Sequence, residues 1–257
     1  MMRHFPDPGN PDSDLRSEQA WEMEPLVGDS LRRIESEVVA CRICPRLVAH
    51  REHVAEVKRR AYRDQEYWGR PVPGFGDPRA RLILIGLAPG AHGSNRTGRM
   101  FTGDASGDFL FPALHGAGFA SQPDATSRDD GLTLTDCFIT AAVRCAPPGN
   151  KPNRSEFEAC APYLVRELQV LKQARVYLAL GRIGFDELCR ALPGMGIEVP
   201  KAARKAFGHG AEIRLSGGPA SIVCSYHPSR QNTQTGRLTT RMFNDVFRRV
   251  ARLLDGG

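Results

Sequence analysis

The sequence predicts an α/β protein, a three-layer α/β/α sandwich around a central, mainly parallel sheet. Short apolar runs such as 82–85 and 174–180 are typical of strands that a parallel sheet buries on both faces. Segments with helical spacing of apolar residues alternate with these runs, as in α/β folds. Loops rich in Gly, Pro and Asn follow the strands, and open α/β sheets bind their ligands there.

The first half of the chain is predicted to contain helices, a strand and a long loop. Leu31, Ile34 and Val38 repeat at helical spacing, and the apolar run 82–85 ends at Gly86. In order, the predicted elements are a helix from residue 30, a helix with a basic surface over 46–63, a loop over 67–79, the strand 82–85, a glycine-rich loop over 86–108 and a helix that follows Gly107.

The second half repeats the alternation of strands and helices. The predicted elements are a strand region over 132–143, a loop over 144–153, a helix over 155–172 disturbed near Pro162, a strand over 174–180, a helix over 183–192, an irregular basic segment over 193–210, a strand pair over 212–215 and 220–225, a loop over 226–237 and a helix over 238–254. We expect the loops 86–108, 144–153 and 226–237 to converge, because each follows a strand of one sheet.

The 257 residues suffice for one large α/β domain or two small ones, and the sequence shows no internal repeat and no strong domain boundary. We predict a flexible acidic tail over residues 1–29, rich in Pro, Asp, Glu and Ser, and a single domain over 30–257. The sequence shows neither an export signal nor an apolar stretch of membrane-spanning length. We therefore expect a cytoplasmic, nucleoid-associated protein whose seven cysteines are reduced. The formal charge of +6 is a weak indication of nucleic acid binding.

The glycine-rich loop is too long for a simple connection, although a structural role remains its rival explanation. Its sequence, GLAPGAHG from residue 86, is neither the G-x-G-x-x-G dinucleotide motif nor a phosphate-binding P-loop. No nucleotide cofactor is therefore expected. A transferase that acts on a small nucleotide is also disfavoured, since it would need such a phosphate-binding loop.

Four cysteines have the spacing of metal ligands. Cys41 and Cys44 form a C-x2-C pair, and Cys145 and Cys160 form a C-x14-C pair. Four thiolates in two groups suit a tetrahedral zinc or a [4Fe–4S] cluster, while a redox dithiol or chance remain open for the C-x2-C pair alone. The other three lie in apolar segments and are predicted to be small buried hydrophobic residues, namely Cys137, Cys189 and Cys224.

Taken together, the motifs resemble the iron–sulfur uracil-DNA glycosylases, most closely their type 5 branch. The segments that carry the resemblance are GLAPGAHG and FTGD in the glycine-rich loop, HPS at 227–229 with Asn232 and TGRLT after it, and the four-cysteine spacing. Leu87 stands where better-known uracil glycosylases carry a polar residue that positions a water. The type 5 branch shares this apolar residue, which argues against the type 4 branch.

The resemblance implies a monofunctional DNA repair enzyme. Such an enzyme flips out uracil and other deaminated or damaged bases and hydrolyses the N-glycosidic bond, leaving an abasic site. It also implies a structural [4Fe–4S] cluster on Cys41, Cys44, Cys145 and Cys160, with zinc as the alternative. The expected partner is DNA, preferably double-stranded, and the protein is expected to be a monomer.

Three residues are the candidates for catalysis. His227 would donate a hydrogen bond to the carbonyl oxygen of the leaving base, and its rival interpretation is a core histidine. Asp104 would position a water or stabilise the cationic sugar, with Asp108 as competitor at a helix start. Asn150, in the PPGN loop, would support contact with the water or base, unless it is simply a turn residue.

The predicted base- and DNA-binding residues lie around the catalytic candidates. They are Gly86, Leu87, Ala88, Gly90, Phe101, Ser229, Asn232 and Arg237. Phe101 would stack on the flipped base, although a core role is its rival. The competing function is a non-catalytic nucleic-acid-binding module held by a metal, which would not need Asp104, Asn150 and His227 to converge.

Overall fold

The computed structural model describes residues 29–216 and 220–256. Its centre is a six-stranded sheet in the order β1-β3-β2-β4-β6-β5. The four inner strands are parallel, whereas β1 and β5 pair antiparallel at the two edges. The strands are β1 (Phe75–Gly76), β2 (Leu82–Gly86), β3 (Cys137–Ala141), β4 (Val176–Leu180), β5 (Glu212–Arg214) and β6 (Ser221–Ser225).

Nine α-helices accompany these strands within the described part of the chain. They are α1 (Leu31–Ala40), α2 (Pro45–Val57), α3 (Ser94–Thr97), α4 (Gly107–Gly116), α5 (Arg154–Val170), α6 (Arg182–Ala191), α7 (Lys201–Arg204), α8 (Arg230–Gln234) and α9 (Thr240–Asp255). Short 3-10 turns occupy 60–62, 148–150 and 192–195. The parallel strands are linked through helices, as right-handed crossovers require.

Helices cover both faces of the sheet. The inner strands are buried along their whole length, so alternate side chains enter opposite cores. On one face, Leu82 and Leu84 pack with Phe111 of α4 and Phe247 of α9. On the other, Ile83 and its neighbours pack with the apolar faces of α5 and α6. The three-layer sandwich with a mainly parallel sheet is therefore confirmed.

Several predicted boundaries are wrong for identifiable reasons. The strand predicted over 132–143 is only β3, because Asp136 adopts a left-handed turn conformation (φ 55°) and anchors Arg81. The basic helix over 46–63 ends at Val57, after which Lys58 has φ 56°. The loop over 67–79 contains β1, and the loop over 226–237 contains α8. The helix that includes Pro162 runs without interruption from 154 to 170.

Almost all of the predicted acidic tail lies outside the described residues. Its last residue, Asp29, is described, and its carboxylate accepts hydrogen bonds from the Arg166 guanidinium at 2.7 and 3.0 Å. This ion pair holds the start of the described chain against α5. Among the helices of the described chain, none combines the length and the apolar character that a membrane span requires.

Candidate active site

The predicted site residues lie on segments that leave the sheet at one edge. β2 is followed by the glycine-rich loop, β3 by the PPGN loop and β6 by the HPS segment. Backbone hydrogen bonds join the first two exits, from the Ala142 amide to the Gly86 carbonyl (3.0 Å) and from the Val143 amide to the Leu87 carbonyl (2.9 Å). Because parallel strands place their carboxyl ends at the same edge of the sheet, the loops that follow them lie at that edge.

Phe101 and His227 form one wall at the strand ends. Their ring centroids are 5.8 Å apart with an interplanar angle of 31°. The Phe101 ring lies over Gly86, where an added Cβ would be 3.0 Å from its Cζ. The Phe101 amide donates to Ser94 Oγ at 3.0 Å, and the side chain is 8% exposed. Phe101 is therefore both a core residue and a neighbour of the catalytic candidate His227.

His227 is partly buried, with the Phe101 ring and Gly181 as neighbours. Burial lowers the pKa of His227 to about 4, so the imidazole is neutral near pH 7. Gly181, at the end of β4, lies against it, since a Cβ there would be 3.2 Å from the His227 Cβ. Asn232 donates its Nδ2 to the His227 carbonyl at 2.9 Å. A neutral imidazole can donate one hydrogen bond to a ligand.

The two carboxylate oxygens of Asp104 have different surroundings. Oδ1 accepts from the Ser106 and Gly107 amides at 2.9 and 3.2 Å, which starts α4. Oδ2 accepts no hydrogen bond from the described residues and lies against Gly90 and Gly93. Burial raises the pKa of Asp104, while the amides of Gly107 and Ser106 act in the opposite direction. The helix-start role considered for Asp108 thus belongs in part to Asp104.

The two arginines of the glycine-rich loop, Arg96 and Arg99, are buried and structural. Arg99 forms a bidentate pair with Asp130 at 2.9 and 2.7 Å, with both side chains less than a tenth exposed. Burial alone would raise the pKa of Asp130, but Arg99 and three backbone amides outweigh it and hold the pKa at about 2. Arg96 donates to the carbonyls of His92 and Gly103. These contacts fix the loop shape that carries Asp104.

Asn150 projects from the exposed PPGN loop. It has a left-handed backbone conformation (φ 58°), and its amide donates to the Pro147 carbonyl at 3.2 Å. The loop is tied back to α2, because Arg46 donates to the Lys151 carbonyl at 3.0 Å and pairs with Glu156 at 2.8 and 2.7 Å. The structure places Asn150 at the same edge of the sheet as the other candidates, with its side chain in solvent.

The segment after His227 presents polar groups to solvent from a short helix. Ser229 caps α8 by accepting the Asn232 amide at 3.4 Å. Arg237 is exposed, and its guanidinium lies 4.7 Å from the Tyr226 ring centroid. Leu87, Ala88 and Gly90 are half-buried at the start of the glycine-rich loop. All of the predicted base- and DNA-binding residues therefore lie on the loops at this edge.

The four predicted metal ligands line one small cavity. Cys41 and Cys44 enter it from the junction of α1 and α2, Cys145 from the exit of β3, and Cys160 from α5. Burial raises the pKa of Cys145 to about 11 and that of Cys160 to about 12. These sulfurs therefore need a positive partner to become thiolates. No three Cys, His, Asp or Glu side chains of the described chain are gathered as ligands of a single ion.

Two buried arginines also line this cavity. Arg51 is 2% exposed and donates to Cys145 Sγ at 3.0 Å, and its Nε has no hydrogen-bond partner. Arg144 pairs with Glu167 at 2.6 Å, while its Nε and Nη1 are buried without partners. Such orphaned cationic donors are costly unless an anionic group completes the site. The cavity is therefore built for thiolates and a negatively charged group.

Sequence reasoning missed the residues that support the site. Gly93 allows the Asp104 carboxyl to approach, because a Cβ there would be 1.9 Å from Oδ2. Gly181 makes the equivalent room for His227. Arg51 and Arg144 supply buried charge at the cysteine cavity. The position of Gly181 directly after a buried strand could have indicated a close contact there. Nothing in the local sequence pattern indicates that Arg51 is buried.

Comparisons with known proteins agree on one family. The sequence model described as "Uracil DNA glycosylase superfamily" matches residues 73–251. The chain is 55% identical over 216 residues to a type-5 uracil-DNA glycosylase of Thermus thermophilus, covering 84% of this chain and 94% of the relative. It is 49% identical over 226 residues to the type-5 enzyme of Mycobacterium leprae, covering 87% and 96%. A type-4 enzyme of Pyrobaculum aerophilum is 33% identical over 165 residues, covering 64% and 74%.

Proposed function

This chain belongs to the uracil-DNA glycosylase superfamily, and on that premise we propose how it removes uracil from DNA. The type 5 resemblance of its motifs is confirmed, and so is the enzyme class, since similarity to type-5 relatives exceeds that to type-4 relatives. The reaction is hydrolysis of the N-glycosidic bond of uracil in DNA. The observation that supports the mechanism is the position of His227 directly after β6, with its ring 5.8 Å from that of Phe101, a residue of the same glycine-rich loop that carries the Asp104 carboxyl.

His227 is proposed to stabilise the departing base. As the bond breaks, negative charge grows on the base and a fixed hydrogen-bond donor lowers the barrier. Because burial lowers its pKa to about 4, His227 is neutral at pH 7 and has one N–H group to donate to the base. The Phe101 ring packs beside this donor, with the two ring centroids 5.8 Å apart. Removing one such donor typically costs about 100- to 1000-fold in rate.

Asp104 is proposed to act on the sugar side. The transition state resembles an oxocarbenium ion, which a carboxylate can stabilise directly or through the attacking water. Oδ2 is available for this task because the backbone amides that start α4 occupy only Oδ1. The C–N bond breaks with its electron pair on the base, the water oxygen bonds to the sugar carbon, and the water proton passes to the carboxylate. The carboxylate then releases this proton, and the base anion takes up one proton. The products are a free base and an abasic site.

The remaining predicted residues would hold the DNA. Asn150, on the exposed PPGN loop, is proposed to support the water or the base. The half-buried Leu87 and Ala88 form an apolar mouth with few fixed donors, which favours acceptance of other deaminated bases besides uracil. The helix α8 would enter the groove of double-stranded DNA, with Arg237 on a phosphate. The protein is proposed to act as a monomer.

A [4Fe–4S] cluster fits the cysteine cavity. Cys41, Cys44, Cys145 and Cys160 would hold it, and the orphaned guanidinium nitrogens of Arg51 and Arg144 would face an anionic group. The resemblance to the iron–sulfur branch favours this cluster, and a single zinc ion on the same four thiolates is the alternative. The cluster would supply structure, joining α2, the β3 exit and α5, and hydrolysis needs no redox step.

The test is base release from a labelled duplex that contains one G·U pair. Wild-type protein is expected to leave alkali-cleavable sites, and Asp104→Asn is expected to lose most of this activity. Asparagine keeps the hydrogen bonds that start α4, so the loss would report charge rather than folding. Release by wild type without any loss in Asp104→Asn would move the sugar-side role to Asn150.

A separate measurement addresses the cluster. Iron, sulfide and zinc analysis of anaerobically purified protein should give iron and sulfide together with a brown colour. Zinc without sulfide would contradict the iron–sulfur assignment. The alternative of a non-catalytic binding module is not favoured, and absence of base release from any deaminated duplex by intact protein would be the result that revives it.

A further inference from the structure

A second basic surface lies outside the proposed active site. It is a groove of about 770 Å³ between α1, α2 and the segment 68–70, open to solvent on one side. Its lining includes five arginines and two glutamates: Arg32, Arg42, Arg51, Arg70 and Arg128 against Glu35 and Glu52. We refer to it as the arginine groove. Its size is that of a ligand site, and its charge is strongly positive.

The charges of the arginine groove are only partly neutralised. Arg42 pairs with Glu52, and Arg128 pairs with Glu35 at 3.3 Å. Arg32 and Arg70 are exposed and have no carboxylate partner among residues 29–216 and 220–256. A surface that keeps unpaired guanidinium groups beside paired ones attracts anions, and the planar fork of arginine matches phosphate oxygens.

Trp68 holds the groove wall in place. The guanidinium carbons of Arg70 and Arg128 lie 5.5 and 4.7 Å from its ring centroid. The indole nitrogen donates to the Pro71 carbonyl at 3.0 Å, and the ring packs on Gly98. Stacking on an aromatic ring limits the motion of a guanidinium, so less entropy is lost when it binds a phosphate.

The arginine groove is physically continuous with the glycine-rich loop. The Trp68 amide donates to the Arg96 carbonyl at 2.8 Å, and the Gly69 amide donates to the Asn95 carbonyl at 3.0 Å. The loop therefore carries Asp104 on one side and supports the groove wall on the other.

We propose that the arginine groove binds backbone phosphates of the DNA strand beyond the flipped nucleotide. The proposal rests on the proposed function insofar as DNA is the ligand, but it concerns a different surface. DNA carries one negative charge per about 1.7 Å of helix axis, so an open cationic groove can engage several phosphates at once. Such contacts add affinity that does not depend on sequence and keep the enzyme on DNA between lesions.

The test compares two charge-matched double variants. Arg32→Gln/Arg70→Gln removes two positive charges from the arginine groove. The control, Lys172→Gln/Arg252→Gln, removes two exposed positive charges at the opposite end of the sheet. The Arg81 guanidinium donates to the Leu254 carbonyl at that end. Affinity for an undamaged long duplex is measured by anisotropy over a salt series. We expect the groove variant to lower the salt slope by about 2, roughly one per phosphate contact, and the control to leave it unchanged.

Two further measurements distinguish DNA binding in the groove from a defect in the active site. With a short duplex that covers only the lesion, the groove variant should bind as wild type does. Under single-turnover, saturating conditions its base release should also match wild type, which shows that the active site is intact even if the groove proposal fails. Equal salt slopes for the two variants would overturn the proposal. Groove-dependent binding of inorganic phosphate without any change in DNA affinity would also overturn it in favour of a small-anion site.

Discussion

Gly93 is the most specific point at which the geometry can be tested. An alanine Cβ at this position would lie 1.9 Å from Asp104 Oδ2 and 2.5 Å from Cγ. Real contacts of this kind are rarely shorter than about 3.0 Å, so the carboxyl group has to move by about 1 Å. The clash of the added Cβ with the Asp104 carboxyl is the perturbation that the substitution introduces.

The expected size of the effect follows from that displacement. Asp104 has little freedom to adjust, because its Oδ1 is held by the amides of Ser106 and Gly107. A misplacement of about 1 Å at a reacting group can cost roughly 100-fold in rate. We therefore expect Gly93→Ala to slow base release by about that factor. Loss of the α4 start would also lower stability by about 0.5–2 kcal/mol.

The assay is single-turnover release of uracil from a G·U duplex, with protein in excess over DNA. Gly116→Ala is the matched control, because it lies in α4 and has no atom within 4 Å of an added Cβ. The control should release uracil at the wild-type rate. The free energy of unfolding of both variants, measured with urea, separates a folding defect from a catalytic one.

A wild-type rate in folded Gly93→Ala would refute the reasoning. It would mean that Oδ2 either moves without consequence or takes no part in the reaction. A second substitution that shortens residue 104 removes both the clash and the carboxylate. If it restored the rate of Gly93→Ala, the clash alone would explain the slow rate, and the carboxylate would have no part in the mechanism.

Three further predictions concern the imidazole, the buried ion pair and the cysteines. His227→Ala should slow base release about 100-fold or more. Burial lowers the His227 pKa to about 4 from about 6.5, so the free energy of unfolding of wild type should fall as the pH falls from about 6.5 to 4, by up to about 1.4 kcal/mol per pH unit. Urea titrations measure this dependence, and His227→Gln should flatten it. Asp130→Ala leaves Arg99 buried without its partner and should lower the free energy of unfolding by about 3 kcal/mol or more. Asp186→Asn, at the more exposed pair with Arg182, should lower it by less than about 1 kcal/mol. A small effect of Asp130→Ala would contradict the buried-pair argument. Cys145→Ser should reduce bound iron and the brown absorption together with thermal stability, and retention of full iron content would remove this cysteine from the ligand set.

The framework of the fold could be predicted because its strands are unambiguous. Buried runs such as 82–86 and 176–180 are rich in Leu, Ile and Val, and both were found within two residues of their predicted bounds. The two-residue strand β1 could not be found, since it is too short for any period. The helix α8 consists of polar residues that also suit a loop, and its formation depends on the Ser229 cap.

The candidate site was predictable in outline but not in detail. His227 directly follows β6 and Asp104 lies in the glycine-rich loop after β2, so the topology predicts both at the carboxyl ends of the parallel strands. The division of labour between the oxygens of Asp104 depends on three-dimensional contacts with Ser106, Gly90 and Gly93. Arg51 belongs to a basic-looking helix, and only the position of the cysteine cavity explains why it is buried.

The shortness of the two edge strands has a consequence for the behaviour of the protein at high concentration. β1 and β5 comprise two and three residues, and each runs antiparallel to its longer neighbour. An edge of this length offers too few free amides and carbonyls for a strand from another molecule to dock. The four long apolar strands, which would aggregate readily if exposed, each have neighbours on both sides. β5 also carries the charged residues Glu212 and Arg214, so both the length and the charge of this edge disfavour pairing with a strand of another molecule.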